Sequence, residues 1–144
     1  MALTATPSFT SSVALASSTA RRWTGRALSG LAVLFLTFDT VIKLVVSPEA
    51  VQGTMELGYP PSVLPILAVL ELICLGLYLV PRTAVLGAVL WTGYLGGAIA
   101  THVRVENPLL THTLFPIYVA VLLWGGLYLR DRRVAALIAP PAAP

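Results

Sequence analysis

Four apolar runs, each about 20 residues long, constrain this chain more than any other feature. They lie at residues 27–46, 62–80, 83–103 and 109–129. At a rise of ~1.5 Å per residue, each run can cross a hydrocarbon core of ~30 Å as a helix. Hydrophobic residues make up 57% of the chain and charged residues only 10%, so a soluble domain could not bury this much apolar surface. The sequence therefore predicts an all-α fold, an integral membrane four-helix antiparallel bundle.

The segments that flank the four runs differ from them in composition. Residues 1–22 are rich in Ser, Thr and Ala and show no apolar stripe, so they are expected to form a disordered N-terminal tail. Residues 23–133 are expected to form the transmembrane domain, and residues 134–144 a C-terminal tail rich in Ala and Pro. The chain is thus predicted to hold one domain between two tails.

Proline and glycine mark the boundaries of the predicted helices. Ser47 followed by Pro48 is typical of a helix start, and Gly58 is typical of a stop, so a short interfacial helix is predicted between the first two spans. Pro65 is expected in the first turn of the second span, where its missing N–H costs little, and Pro116 is expected to kink the fourth span.

The distribution of arginine predicts the orientation in the membrane. Positive charges are enriched in cytoplasmic loops. With both termini cytoplasmic, the inner side holds every arginine of the chain except Arg104: Arg21, Arg22, Arg26, Arg82, Arg130, Arg132 and Arg133. A multi-pass protein of a bacterial-type inner (plasma) membrane, with both termini in the cytoplasm, is predicted.

Three charged residues lie inside the predicted spans. Asp39 and Lys43 lie in the first span, one helical turn apart on one face, and Glu71 lies near the centre of the second. Charges that face lipid cost at least about 2.5–3.5 kcal/mol each, so these must face one another or water. His102, Arg104 and His112 enter from the same side of the membrane, so all six residues are expected to converge in the outer half of the bundle.

Two interpretations of this polar cluster remain open. In the functional one, Asp39, Glu71, His102 and His112 are acid/base or ligand-binding groups, with Lys43 and Arg104 as charge partners. Histidine titrates near neutral pH, so proton transfer is within the chemistry of this set. In the structural one, an ion-pair network of Asp39 with Lys43, and of Glu71 with His102 or Arg104, fixes the helix packing.

Other functional classes receive little or no support from the sequence. Cys74 is alone, so one chain cannot form a disulfide or a CxxC pair. No nucleotide-binding glycine loop, serine-nucleophile elbow or HExxH motif is present, and the arginines do not follow one polar face as nucleic-acid binding requires. The two histidines have no specific metal-ligand spacing, so no metal site is predicted.

Three glycines in the third span indicate close contact between helices. Gly93 and Gly97 form a small-xxx-small pair, and Gly96 lies beside them. The contact is expected within the bundle, or with a membrane protein partner or second copy of the chain.

The order and spacing of several motifs resemble the DoxX-like family of small four-span membrane proteins. The resemblance covers roughly residues 23–133, and its motifs are Asp39-Thr40-Val41-Ile42-Lys43, Leu57-Gly58-Tyr59-Pro60, Glu71, Pro81-Arg82-Thr83, Gly93-Tyr94-Leu95-Gly96-Gly97-Ala98, Thr101-His102-Val103-Arg104, Pro108-Leu109 and His112-Thr113-Leu114-Phe115-Pro116. The family is named after a subunit of an archaeal thiosulfate:quinone oxidoreductase, and relatives are associated with membrane oxidoreductase complexes.

What the resemblance implies is a membrane protein that binds a quinone or another lipophilic small molecule, as the membrane subunit of an oxidoreductase complex. The lone Cys74 gives no cysteine pair for sulfur or disulfide exchange. Two alternatives stay open: a non-catalytic accessory or assembly protein, and a stand-alone isomerase or hydrolase of a lipophilic substrate that uses carboxylate and histidine chemistry. Whether the chain catalyses a reaction is not decided by its sequence.

Overall fold

The computed structural model describes residues 9–138 of the chain, and the side chains of residues 19–137. This part of the chain forms α-helices joined by short turns and contains no strand. The helices are α1 (Phe9–Leu44), α2 (Pro48–Glu56), α3 (Leu64–Leu79), α4 (Ala84–Arg104), α5 (Phe115–Arg130) and α6 (Arg132–Ile138). Four segments are long and apolar enough to cross a membrane: Thr19–Leu44, Pro61–Leu79, Ala84–Arg104 and Leu109–Arg130. The predicted all-helical fold with four spans is confirmed.

The four long helices pack as a ring, with α1 against α3 and α5, and α4 against the same two helices. Side-chain contacts give their directions. Ser29 of α1 contacts Tyr78, whereas Thr40, farther along α1, contacts Glu71, which precedes Tyr78 in α3. α1 and α3 therefore run antiparallel. Arg21 of α1 donates to the carbonyl oxygen of Tyr128 of α5 at 3.4 Å, so the ends of α1 and α5 that lead to the chain termini lie at the same end of the bundle.

Small residues allow the closest approaches between helices, but they are not the predicted ones. A methyl group on Gly87 of α4 would lie 2.6 Å from the Cα of Tyr78, and one on Gly126 of α5 would lie 2.8 Å from the backbone nitrogen of Ser29. At Gly93 and Gly97 a methyl group would meet nothing within 4 Å. The expected close contact of these two glycines within the bundle is therefore wrong for the described part of the chain, because their face of α4 points away from its neighbours.

Helix α1 begins much earlier than the sequence suggested. It starts at Phe9, so residues 9–22 of the predicted disordered tail are helical, and residues 1–8 lie outside the described part. The segment contains alanines and neither Gly nor Pro before Gly25. Because the first span already supplies a helical nucleus, each added residue needs only the small free energy of propagation.

The C-terminal end also holds more structure than predicted. Helix α6 (Arg132–Ile138) includes residues 134–138 of the expected tail, and Val134 is only 2% exposed because it packs on the hydrophobic core. Residues 139–144, the rest of the predicted tail, lie outside the described residues.

The fourth span is broken rather than kinked. A five-residue π-helical turn, Leu109–Thr113, leads into α5, whose first turn holds Pro116. Proline lacks an N–H and its ring would collide with the carbonyl group four residues earlier, which here belongs to His112. The wide turn and the new helix start accommodate this residue.

Helix α2 has the start predicted for it. The Ser47 side chain accepts a hydrogen bond from the backbone N–H of Ala50 at 3.2 Å, Pro48 occupies the first turn, and Gly58 after the helix has a left-handed φ of 77°. Thr54 on its inner face is buried, and Met55 is 58% exposed. Its position at the membrane interface and the cytoplasmic location of the termini stay predictions.

Candidate functional site

Charged and hydroxyl side chains from three spans meet inside the bundle. We call Asp39, Thr40, Lys43, Glu71 and Tyr94 the central cluster. α1 supplies the first three because residues 39, 40 and 43 lie on adjoining turns of its inner face. α3 supplies the fourth and α4 the fifth, so the cluster joins three of the four spans.

Lys43 is the hub of the central cluster. Its ammonium nitrogen lies 2.5 Å from Oδ2 of Asp39, pairs with Oε1 of Glu71, and lies 3.3 Å from the hydroxyl oxygen of Tyr94. An ammonium group has three protons to donate, so each has an acceptor here. The predicted pairing of Asp39 with Lys43 is confirmed.

Glu71 is the buried acceptor of the cluster. Its side chain is 0% exposed. Oε1 accepts hydrogen bonds from Lys43 and from the Tyr94 hydroxyl, and Oε2 accepts one from the Thr40 hydroxyl at 2.9 Å. The Thr40 hydroxyl also lies 2.7 Å from the carbonyl oxygen of Leu36, so its single proton is shared between two acceptors.

The central cluster holds one cationic and two carboxyl side chains, and these differ in how far they are exposed at the surface of the bundle. The side chains of Asp39 and Lys43 are 29% and 17% exposed, whereas Glu71 is sealed. The edge of the cluster that a molecule outside the bundle can reach is therefore formed by Asp39 and Lys43.

The predicted partners of Glu71 are wrong, because His102 and Arg104 lie elsewhere. Glu71 and Tyr94 face each other at mid-span. His102 follows Tyr94 by eight residues on α4, which is roughly 12 Å along the helix axis. An imidazole at that distance cannot reach the Glu71 carboxylate, and Tyr94 occupies the place that the histidine was expected to fill.

The two histidines form a separate pair at the end of α4 and in the π-helical turn. The ring centroids of His102 and His112 lie 5.9 Å apart in an edge-on arrangement. Nδ1 of His102 lies 2.9 Å from the side-chain nitrogen of Asn107, and Nδ1 of His112 lies 2.8 Å from the Thr111 hydroxyl. Because the amide nitrogen of Asn107 can only donate, Nδ1 of His102 accepts this hydrogen bond.

Arg104 belongs to a third group, which anchors the turn after α2. Its Nη2 donates to the carbonyl oxygen of Leu57 at 2.5 Å, and its guanidinium lies 5.5 Å from the ring centroid of Tyr59. Arg104 thereby ties the end of α4 to the segment that carries α2. The six predicted residues thus divide into three groups instead of converging on one.

Sequence reasoning missed Thr40 and Tyr94 as members of the site. Glu71 lies eight residues before the end of α3 and Tyr94 lies ten residues after the start of α4, which places them roughly 12 and 15 Å from the turn between the helices. The similar distances of Glu71 and Tyr94 from this turn were the signal in the sequence that the two side chains could meet. Thr40 carried a weaker one, its hydroxyl beside Asp39 in an apolar run.

Loss of the Tyr94 hydroxyl is expected to weaken the bundle. Tyr94→Phe keeps the ring against Trp91, whose centroid is 5.5 Å away, but removes a donor to the buried Glu71 carboxylate. Hydrogen bonds to charged groups contribute about 1.5–3 kcal/mol, so the free energy of unfolding in an SDS titration should fall by that amount. Tyr118→Phe, which removes an exposed hydroxyl on α5 that donates to Leu110 at 3.3 Å, is the matched control and should change little.

Among the described residues, no group of three or more His, Cys, Asp or Glu side chains is placed to hold a metal ion.

Comparison with protein families gives a match over residues 27–126, and the matching family is described as the DoxX-like family. No curated protein and no solved structure matches the chain. The matched residues include the whole central cluster and both histidines.

Proposed function

This chain belongs to the DoxX-like family of membrane proteins, and from that premise we propose that it binds a quinone or a similar lipophilic molecule, as the membrane subunit of an oxidoreductase complex. The observation that carries the proposal is the central cluster, in which one ammonium group serves two carboxyl groups and one of these, Glu71, is fully buried.

The central cluster has the composition of a proton-holding site. With both carboxyl groups ionised its net charge would be −1, which is unfavourable at mid-span. A proton on Glu71 would neutralise the cluster. The Thr40 hydroxyl could then donate to the carbonyl oxygen of Leu36 alone, instead of sharing its proton between that oxygen and Oε2 of Glu71. The cluster can therefore gain and lose one proton while its hydrogen bonds are rearranged locally.

The surroundings of Asp39 suit an apolar ring with a polar edge. Phe35 lies one turn before Asp39 on α1 and packs edge-on against Phe115 of α5 with centroids 5.2 Å apart. Both rings remain partly exposed, at 37% and 42%. A ligand entering from the lipid would place its ring beside these two phenylalanines and its carbonyl oxygen near the Lys43 ammonium group, which can donate to it.

Proton transfer in this proposal is balanced by electrons from a partner. Reduction of a quinone to a quinol takes up two electrons and two protons. A redox subunit of the complex would supply the electrons, and Asp39 and Glu71 would pass the protons. His102 and His112 would exchange protons with solvent at the end of the bundle.

The test is extraction and mass spectrometry of the full chain purified from its native membrane in mild detergent. The wild type should carry a quinone or related molecule. Asp39→Asn and Glu71→Gln should each reduce its amount by about tenfold, because each change removes a carboxylate that holds the Lys43 ammonium group in place beside the ligand. Glu49→Gln, which neutralises an exposed carboxylate on α2, is the control and should retain the ligand.

A ligand-free wild type, or full retention by Glu71→Gln, would refute ligand binding at the central cluster. In that case, a lower melting temperature of Glu71→Gln would show that the central cluster stabilises the packing of the helices and does not bind a ligand.

The exposed glycines of α4 favour a second candidate, an accessory protein that docks on another membrane protein. Gly93, Gly96 and Gly97 are exposed, and a methyl group on any of them would meet nothing within 4 Å. Small residues allow close approach of a partner helix. Cross-linked native membranes should hold a larger complex that Gly93→Leu with Gly97→Leu dissolves, whereas Gly76→Leu, at an equally open site on α3, should not. A complex that survives the double substitution would count against this docking face.

A further inference from the structure

A cleft at the opposite end of the bundle is not explained by the central cluster. It lies between α1, α3 and α5 near the chain termini and has a volume of about 200 Å³. Its polar lining comes from Arg26, Ser29, Tyr78 and Arg130, and its remaining lining is apolar. The guanidinium groups of Arg26 and Arg130 thus border one space.

Arg130 brings an unpaired charge to this cleft. Its guanidinium lies 5.1 Å from the ring centroid of Tyr78. Its Nε and Nη2 atoms are shielded from solvent, yet within the described part of the chain neither donates a hydrogen bond. Leaving donors of a charged group unsatisfied is costly, so a bound acceptor is the simplest way to complete this environment.

The neighbouring acid does not neutralise Arg130. Oδ1 of Asp131 accepts a hydrogen bond from the backbone N–H of Arg133 at 2.8 Å, so this carboxylate caps the start of α6. The described residues form ion pairs only around Lys43, and none involves Arg130.

The other polar groups of the cleft are already used or are cationic. The Tyr78 hydroxyl donates to the carbonyl oxygen of Leu123 at 2.8 Å, so the Ser29 hydroxyl, 3.0 Å away, donates to Tyr78. Arg26 is exposed and its guanidinium lies 5.3 Å from the ring of Trp23. The cleft thus offers two guanidinium groups and no acidic side chain.

We propose that this cleft binds a phosphate group, carried by the head of an acidic phospholipid. Guanidinium groups match phosphate because their planar fork of N–H donors can bind two oxygens at once. The apolar lining points to a lipid as the source, since Gly30, Val33 and Leu79 continue from the two arginines along the outer surface of α1 and α3. Basic pockets between spans are known to hold acidic lipid head groups. This site is independent of the proposed ligand at Asp39.

The test is native mass spectrometry of the full chain in mild detergent, titrated with phosphatidylglycerol or with phosphatidylcholine of the same acyl chains. A complex with one phosphatidylglycerol should form at concentrations where phosphatidylcholine does not bind. Arg130→Gln and Arg26→Gln should each weaken binding by about tenfold, whereas Arg133→Gln should stay within about twofold of the wild type. Arg133 is the matched control because it is exposed, carries the same charge and lies at the same end of the bundle.

The remaining outcomes also decide the question. Phosphatidylcholine carries the same phosphate but no net charge, so its equal binding would overturn a site for an acidic head group, as would loss of binding in Arg133→Gln. Because Arg130 packs on Tyr78, the melting curve of each variant is measured to check that it folds. If Arg130→Gln loses binding only because it misfolds, and Arg26→Gln binds as the wild type does, the proposed site is also overturned. A third arm uses inorganic phosphate alone: binding of phosphate without any lipid complex would keep the phosphate site and overturn the lipid as its source.

Discussion

Replacing Lys43 with methionine is expected to lower the free energy of unfolding by about 3–5 kcal/mol, the range for removing one partner of a buried ion pair. Methionine fills a similar volume, so the loss is mainly electrostatic. Asp39 and Glu71 would be left without their shared cation, and Glu71 is fully buried. The measurement is an SDS titration of the purified protein, followed by circular dichroism.

Two further variants separate charge from packing in this experiment. Glu71→Gln leaves the pair of Lys43 with Asp39 intact, so it is expected to cost less than half of what Lys43→Met costs. In the Lys43→Met background, Glu71→Gln should recover about 1 kcal/mol or more, because it removes one of the two unpaired carboxylates. If the three variants lose stability additively, the two side chains are not coupled and the central cluster is not an electrostatic unit.

Gly87→Ala is expected to produce the largest effect of any single added methyl group, a loss of about 3 kcal/mol. The new carbon would lie 2.6 Å from the Cα of Tyr78, and backbone atoms cannot move aside as a flexible side chain can. Overpacking of a tight site costs about 1–3 kcal/mol and sometimes more. The turn between α3 and α4 would have to open, and the same titration would detect it.

Gly96→Ala on the same helix is the control for Gly87→Ala. A methyl group at Gly96 meets nothing within 4 Å, so the substitution should be neutral or stabilise the protein by about 0.5–1 kcal/mol through higher helix propensity. Equal losses at both positions would show that the close approach of α3 and α4 is not the cause of the loss in Gly87→Ala.

The spans could be predicted from the sequence because their ends carry local signals. The second span was expected at 62–80 and is found at Pro61–Leu79, and the third was expected at 83–103 and is found at Ala84–Arg104. Proline, glycine and changes in hydropathy mark these ends directly. The start of α1 carries no such signal, because helix there depends on propagation from the span and not on an apolar stripe.

The site could be predicted only as far as one helix determines it. Asp39 and Lys43 are four residues apart, so helical geometry alone pairs them. The pairing of Lys43 with Glu71 depends on how α1 and α3 are rotated about their axes, and the rotation of α4 likewise turns Gly93 outward and Gly87 inward. Sequence periodicity gives the faces of each helix but not which face meets which neighbour.

The burial of Trp91 has a spectroscopic consequence. Its side chain is 0% exposed and packs edge-on against Tyr94, which in turn donates to Glu71. The indole is therefore an internal fluorophore two contacts away from the buried carboxylate, in surroundings that shift its emission to short wavelength. With Trp23 and Trp124 replaced by phenylalanine, its quenching would report a change at Glu71 without an added label.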